Sequence, residues 1–215
     1  MEGTTREGVF SPFGVEGYWR LFFGHLICWS FAAIEWMATG WLVLEMTGSA
    51  WHVALVDFYR FAPWLLVGLV SGPLIQRFGR KPIILACQLV FVGCYASLAL
   101  LLWSGHLTYS YIAAFACLST GTMALDFTTR RTMLPALVGR HRTVDALLLE
   151  TLVQGSAFTA GPFIGGWLIE VFGMVNVYTI VAVMPLISLS LYLGLPVLPS
   201  SPKSSARPES ALRTI

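Results

Sequence analysis

Gly72-Pro73-Leu74-Ile75-Gln76-Arg77-Phe78-Gly79-Arg80-Lys81 joins two long apolar runs, and its three cations decide how the chain threads. The runs on either side, about 51–75 and 83–103, are each long enough to cross a bilayer as a helix. Four more runs of that kind follow the same rule, at about 21–44, 109–126 with a helical extension toward 133, 146–169 and 175–195. Only 11% of the 215 residues are charged, 56% are hydrophobic, and the mean hydropathy is +0.73. A soluble domain carries about a quarter charged residues. This composition excludes a soluble globular enzyme, a nucleic-acid binder and a disordered chain, and it implies an all-α membrane protein of six transmembrane helices.

Lys and Arg then set the orientation. Arg6 and Arg20 precede the first run, Arg77, Arg80 and Lys81 follow the second, and Arg130, Arg131, Arg140 and Arg142 follow the fourth. Lys203, Arg207 and Arg213 lie in the tail, and the three alternate loops carry none. Of the 13 basic residues, 12 therefore fall on one side, with Arg60 alone inside a span. The positive-inside rule puts both termini in the cytoplasm, with the bundle in the plasma membrane. The expected organisation is a segment over 1–17, a six-helix bundle over 18–196 and a Ser- and Pro-rich linker or disordered tail over 197–215. No cleavable signal peptide is expected, because the first apolar run is long enough to remain as a helix.

Charges inside a bilayer face the bundle interior or a wet cavity. Glu35, Asp57 and Arg60 are the costly ones. Counting rise per residue, Glu35 lies roughly 10–15 Å below the outer surface and Arg60 reaches roughly 13 Å from it, so the two can meet. Asp57 shares a face with Arg60 at i, i+3. Glu150 and Gln154 share a face of the fifth span and suggest a second cavity stripe. Asp126 and Arg130 read as a salt bridge at the cytoplasmic end, and His25 as a satisfied helix-contact residue. The third and sixth spans hold no charge and read as lipid-facing scaffold. Cys28, Cys87, Cys94 and Cys117 read as small hydrophobes, with no C-x-x-C. No metal-ligand spacing appears and no cofactor is expected. The G-x-S-G string of an intramembrane serine protease is also missing.

The opening decapeptide resembles the loop signature of the major facilitator superfamily, G-x-L-a-D-r-x-G-r-k, at the same place in the topology. Gly72, Arg77, Gly79, Arg80 and Lys81 match it, and Gln76 departs from it at the acidic position. The resemblance implies a gating loop whose carboxylate helps to lock two halves together; Gln76 can hydrogen-bond but supplies no charge. In the fifth span Ala157, Gly161, Pro162, Gly165 and Gly166 resemble the superfamily's g-x-x-x-G-P-x-x-G-G exporter motif, with Ala157 at the first small position. The strings 38–50 and 58–63, and Arg130-Arg131 ahead of Leu134-Pro135, are similar to the branch of enterobactin-exporter-like and multidrug exporters. A further signature, R-x-x-q-G, falls on Cys117-Leu118-Ser119-Thr120-Gly121 without its arginine, so proton coupling is not carried over. Gly72-Pro73 and Gly161-Pro162 stand at equivalent places in two sets of three spans, which hints at a 3+3 repeat.

The resemblance covers six of the superfamily's usual twelve helices. It implies export of a small drug- or siderophore-like solute by alternating access, with a second six-helix half or a second copy as partner. The alternative is a non-transporting six-helix structural or regulatory protein, or an inactive fragment.

Overall fold

The computed structural model describes residues 8–196, and the tail expected over 197–215 lies outside them. Six long helices fill the chain: α1 (Tyr18–Thr47), α2 (Ala50–Phe78), α3 (Arg80–Trp103), α4 (Tyr109–Val138), α5 (Thr143–Phe172) and α6 (Met174–Leu193). Two short 3-10 helices, Ser11–Gly14 and Arg140–Arg142, complete the order, and there is no strand among the described residues. The first of them folds back onto the bundle through Phe13, whose ring meets Tyr18 and Phe22 edge-on.

Five of the six, α1, α2, α3, α4 and α6, are long and apolar enough to cross a membrane. The sequence had suggested six. α5 falls short because Glu150, Gln154, Thr151, Ser156 and Thr159 share it with Gly155, Gly161, Gly165 and Gly166. Its small residues serve helix contact instead of hydropathy. The junctions are short: Gly79 alone separates α2 from α3, at φ 82 and ψ 165, a region essentially closed to residues with a Cβ.

α1 packs on α5 and α6, and α4 packs on α2 and α3, while α3 and α6 lie against each other. Adding three to each helix number, counting on from α6 to α1, maps the first pair of contacts onto the second. The core falls into two clusters. The larger gathers Phe31, Phe91, Tyr95, Ile112 and Tyr178, and the smaller gathers Tyr18, Leu21, Met133, Leu134 and Tyr192.

The most exposed span is α2, contrary to the expectation that α3 and α6 form the lipid-facing scaffold. Only 11% of its most apolar stretch is buried, against 44% for α3. The charge in α2 is absorbed on one narrow face by Arg60, which leaves Leu65, Leu66, Leu69 and Val70 turned outward. Charge content marks which helix has an interior-facing group, not how much of that helix is covered.

Candidate functional site

Glu35 of α1 and Arg60 of α2 meet in the bundle interior, 4% and 2% exposed. The guanidinium grips the carboxylate in bidentate fashion, Nη1 to Oε2 at 3.0 Å and Nη2 to Oε1 at 2.8 Å. Such a fork is the strongest form of a charge-assisted pair. Thr39, one turn along α1, donates its hydroxyl to Glu35 Oε1 at 2.5 Å and lies 2.9 Å from the Tyr178 hydroxyl of α6. One carboxylate thus ties α1, α2 and α6 together.

Asp57 takes a different place. Its side chain is 42% exposed, accepts the Trp36 indole N–H at 2.9 Å, and stands 3.8 Å from Arg60 Nε. Arg60 in turn lies over the Trp36 ring, 5.4 Å from its centroid. Glu35 and Asp57 therefore share one guanidinium, closely in the first case and loosely in the second.

Above the pair opens a cavity of about 350 Å³. Trp29, Trp36, Phe61, Trp64, Phe91 and Phe158 make its aromatic wall, and its polar points include Glu35, Arg60, Ser119, Thr120 and Gln154. A concave apolar site with a few placed polar groups is the ordinary form of a small-molecule pocket. Trp29 and Trp36 stand seven residues apart on one helix face, the one signal in the sequence for this wall. Glu150 does not line this cavity, whereas Gln154 does. A step of four residues along α5 carries the side chain about 6 Å toward the basic end of the bundle, so the two share a face without sharing a site.

At that basic end lies a second network. Asp126 and Arg130 of α4 form an ion pair with 0% and 1% of each side chain exposed, and Arg130 Nη1 donates to the Tyr192 hydroxyl at 2.7 Å. The salt bridge expected between Asp126 and Arg130 is therefore present, and it is buried. α4 runs 30 residues, about 45 Å, so it continues well past a hydrocarbon layer of about 30 Å and keeps Arg130 inside the bundle. Arg60 is accordingly not the only cation among buried groups.

The loop residues are spread out. Gln76 and Arg77 are exposed, with the Arg77 guanidinium 5.3 Å from the Phe78 ring centroid. Lys81 turns inward: its ammonium donates to the Leu193 and Leu195 carbonyls at 2.9 and 2.5 Å, where α6 ends and its carbonyls lack intrahelical donors. Arg20 donates to Gly194 at the same helix end. Lys81 thus ties the start of α3 to the end of α6. A Cβ added at Gly72 would meet nothing within 4 Å, so no helix approaches closely there. Arg80 is half-buried at the start of α3.

The small residues of α5 do form a contact face. A Cβ at Gly161 would run into the Ala33 side chain and backbone of α1, and one at Gly165 would stand 3.5 Å from the Ile34 carbonyl oxygen. Ala157 is buried on the same side, Gly166 reaches Met37, and Pro162 faces outward in an unbroken helix. Among the described residues no cluster of His, Cys, Asp or Glu could hold a metal ion.

Residues 7–208 match the profile of a family described as transmembrane secretion effector. The chain belongs to this family of the major facilitator superfamily, in its efflux branch. Membership makes it an integral membrane protein of a transporter family and sets it apart from enzymes. It is 29% identical over 151 residues to the multidrug efflux pump Tap of Mycolicibacterium fortuitum, covering 68% of this chain and 37% of that one. Tap of Mycobacterium tuberculosis strain H37Rv is 28% identical over 152 residues, covering 68% and 36%. The enterobactin exporter EntS of Shigella boydii is 31% identical over 182 residues, covering 78% and 40%. This family member thus spans about two fifths of the length of these relatives.

Proposed function

We propose that the chain forms the first six-helix half of an efflux transporter, moving a small amphipathic solute by alternating access. All six helices span the plasma membrane as a 3+3 repeat with both termini in the cytoplasm, and α5 crosses as part of the contact face with α1. The observation that carries this reading is the aromatic cavity floored by the Glu35–Arg60 pair. Its contents suit a solute with ring surface and a few polar atoms, the chemistry shared by drugs and aromatic siderophores. The contact pattern that repeats after three helices supports the two-fold architecture in which such sites lie between halves. Tap and EntS, which match over 151 and 182 residues, carry efflux and export in their names.

The second half closes the cavity against the apolar side of α2, where Phe61, Leu65 and Leu69 stand exposed beside it. That half is a further stretch of the same polypeptide, a separate chain or a second copy. The 72–81 segment, which joins α2 to α3, is the inner gate, with Gln76 leaving it more weakly latched than a carboxylate would. Purified chain in proteoliposomes, verified as a monomer, is expected to give no saturable flux of a fluorescent amphipathic dye. The chain joined to a second six-helix half is expected to give it. Saturable flux from the monomer would overturn the reading.

A further inference from the structure

Glu150 is a buried carboxyl that neither the cavity nor the ion pairs use. It is 3% exposed, and neither carboxyl oxygen has a hydrogen-bond partner among the described residues. Its surroundings come from three helices. From α1, His25 donates Nε2–H to the backbone carbonyl of Glu150 at 3.3 Å, which leaves the buried Nδ1 as an acceptor without a partner. The Tyr18 hydroxyl, also of α1 and within electrostatic reach, has no partner either.

From α4, Asp126, Arg130 and Arg131 act on Glu150 electrostatically, and from α6 Tyr192 does so. No hydrogen bond joins either cation to its oxygens among the described residues. Arg130 is engaged by Asp126 and Tyr192, and the Arg131 guanidinium lies 4.2 Å from the Phe127 ring centroid. A carboxylate held away from water with neither counter-ion nor donor is far costlier than a neutral carboxyl. Its oxygens touch no open space, so a proton is the one ligand small enough to reach them.

We propose that Glu150 is a proton-binding site, holding one exchangeable proton on its carboxyl while α1, α4 and α5 are packed in this arrangement. Release breaks the O–H bond and passes the proton to entering water, leaving an anion at Glu150. That anion needs water or a rearranged arginine, so release is coupled to separation of α1 from α5 at the basic end. The site stands whether or not the chain transports, and its test measures no flux.

The experiment is infrared spectroscopy of the full chain in lipid vesicles, with glutamate side chains labelled with carbon-13 at the carboxyl. At neutral pH the unmutated chain is expected to show a protonated-glutamate band. Glu150→Gln should remove it, and Glu45→Gln, at an exposed position, should leave it. Raising the pH should convert the band to carboxylate and speed backbone amide exchange around His25 in the unmutated chain, relative to Glu150→Gln. Absence of the band from the unmutated chain at neutral pH overturns the proposal, as does a band that survives Glu150→Gln. A band that titrates with no change in amide exchange overturns the coupling.

Discussion

Replacing Arg60 with alanine is expected to destabilise the bundle in detergent by about 3–5 kcal/mol, more than Glu35→Gln does. The asymmetry follows from the stoichiometry of the site. Arg60 is shared by Glu35, which it holds bidentately, and by Asp57 at 3.8 Å. Removing it leaves two carboxylates without their cation and frees a face of Trp36. Removing the Glu35 charge leaves Arg60 with Asp57 still in range, and Thr39 keeps its bond to the Tyr178 hydroxyl. The check is a double-mutant cycle on thermal stability with Glu35→Gln, Arg60→Gln and both together. Residues in one salt-bridge network couple by about 0.5–3 kcal/mol, whereas distant ones add. Additive single effects would mean that the pair contributes nothing as a pair.

The second large effect is expected at Arg130. Arg130→Ala strands the Asp126 carboxylate, 0% exposed, and withdraws the donor that meets the Tyr192 hydroxyl. Breaking a fully buried pair from one side costs about 3–5 kcal/mol. Arg130→Lys should recover only part of the loss, because an ammonium is a point charge and cannot present two fixed donors to Asp126 and Tyr192 together. Asp126→Leu combined with Arg130→Met should stand closer to the parent than Arg130→Ala, since replacing both charges removes the desolvation penalty along with the attraction. Thermal melts of the four proteins, followed by helical circular dichroism, decide the matter. A double variant less stable than Arg130→Ala would contradict this view of the network.

The helices were legible in the sequence because long apolar runs separated by short Gly-containing loops leave little choice of secondary structure. The meeting of Glu35 and Arg60 was legible from depth alone, since two antiparallel helices of known rise bring matched positions together. The burial of Arg130 was not. A cation just past a hydrophobic run looks like an interfacial charge, and nothing local says that α4 continues buried as far as Val138. The separation of Glu150 from Gln154 was hidden for a related reason: helical spacing gives a shared face but not the height at which a cavity ends. Exposure of α2 was hidden as well. An apolar surface waiting for a partner reads the same in sequence as one facing lipid, and α2 is apolar on both accounts. The aromatic wall is a property of tertiary convergence, with Trp29 and Trp36 on α1, Trp64 on α2 and Phe158 on α5. Each of those residues alone is an ordinary core or interface aromatic.

The cavity as the path of the solute is tested most directly by flux through variants that fill it. Thr120 lines the cavity from α4, and Leu118 sits two residues away on an exposed part of the same helix, 53% accessible. Each is replaced by tryptophan in the chain joined to a second six-helix half, and each variant is confirmed to melt as the parent does. Thr120→Trp is expected to abolish saturable dye flux in proteoliposomes, while Leu118→Trp keeps it. Equal flux from the two variants would contradict a transport path through this cavity.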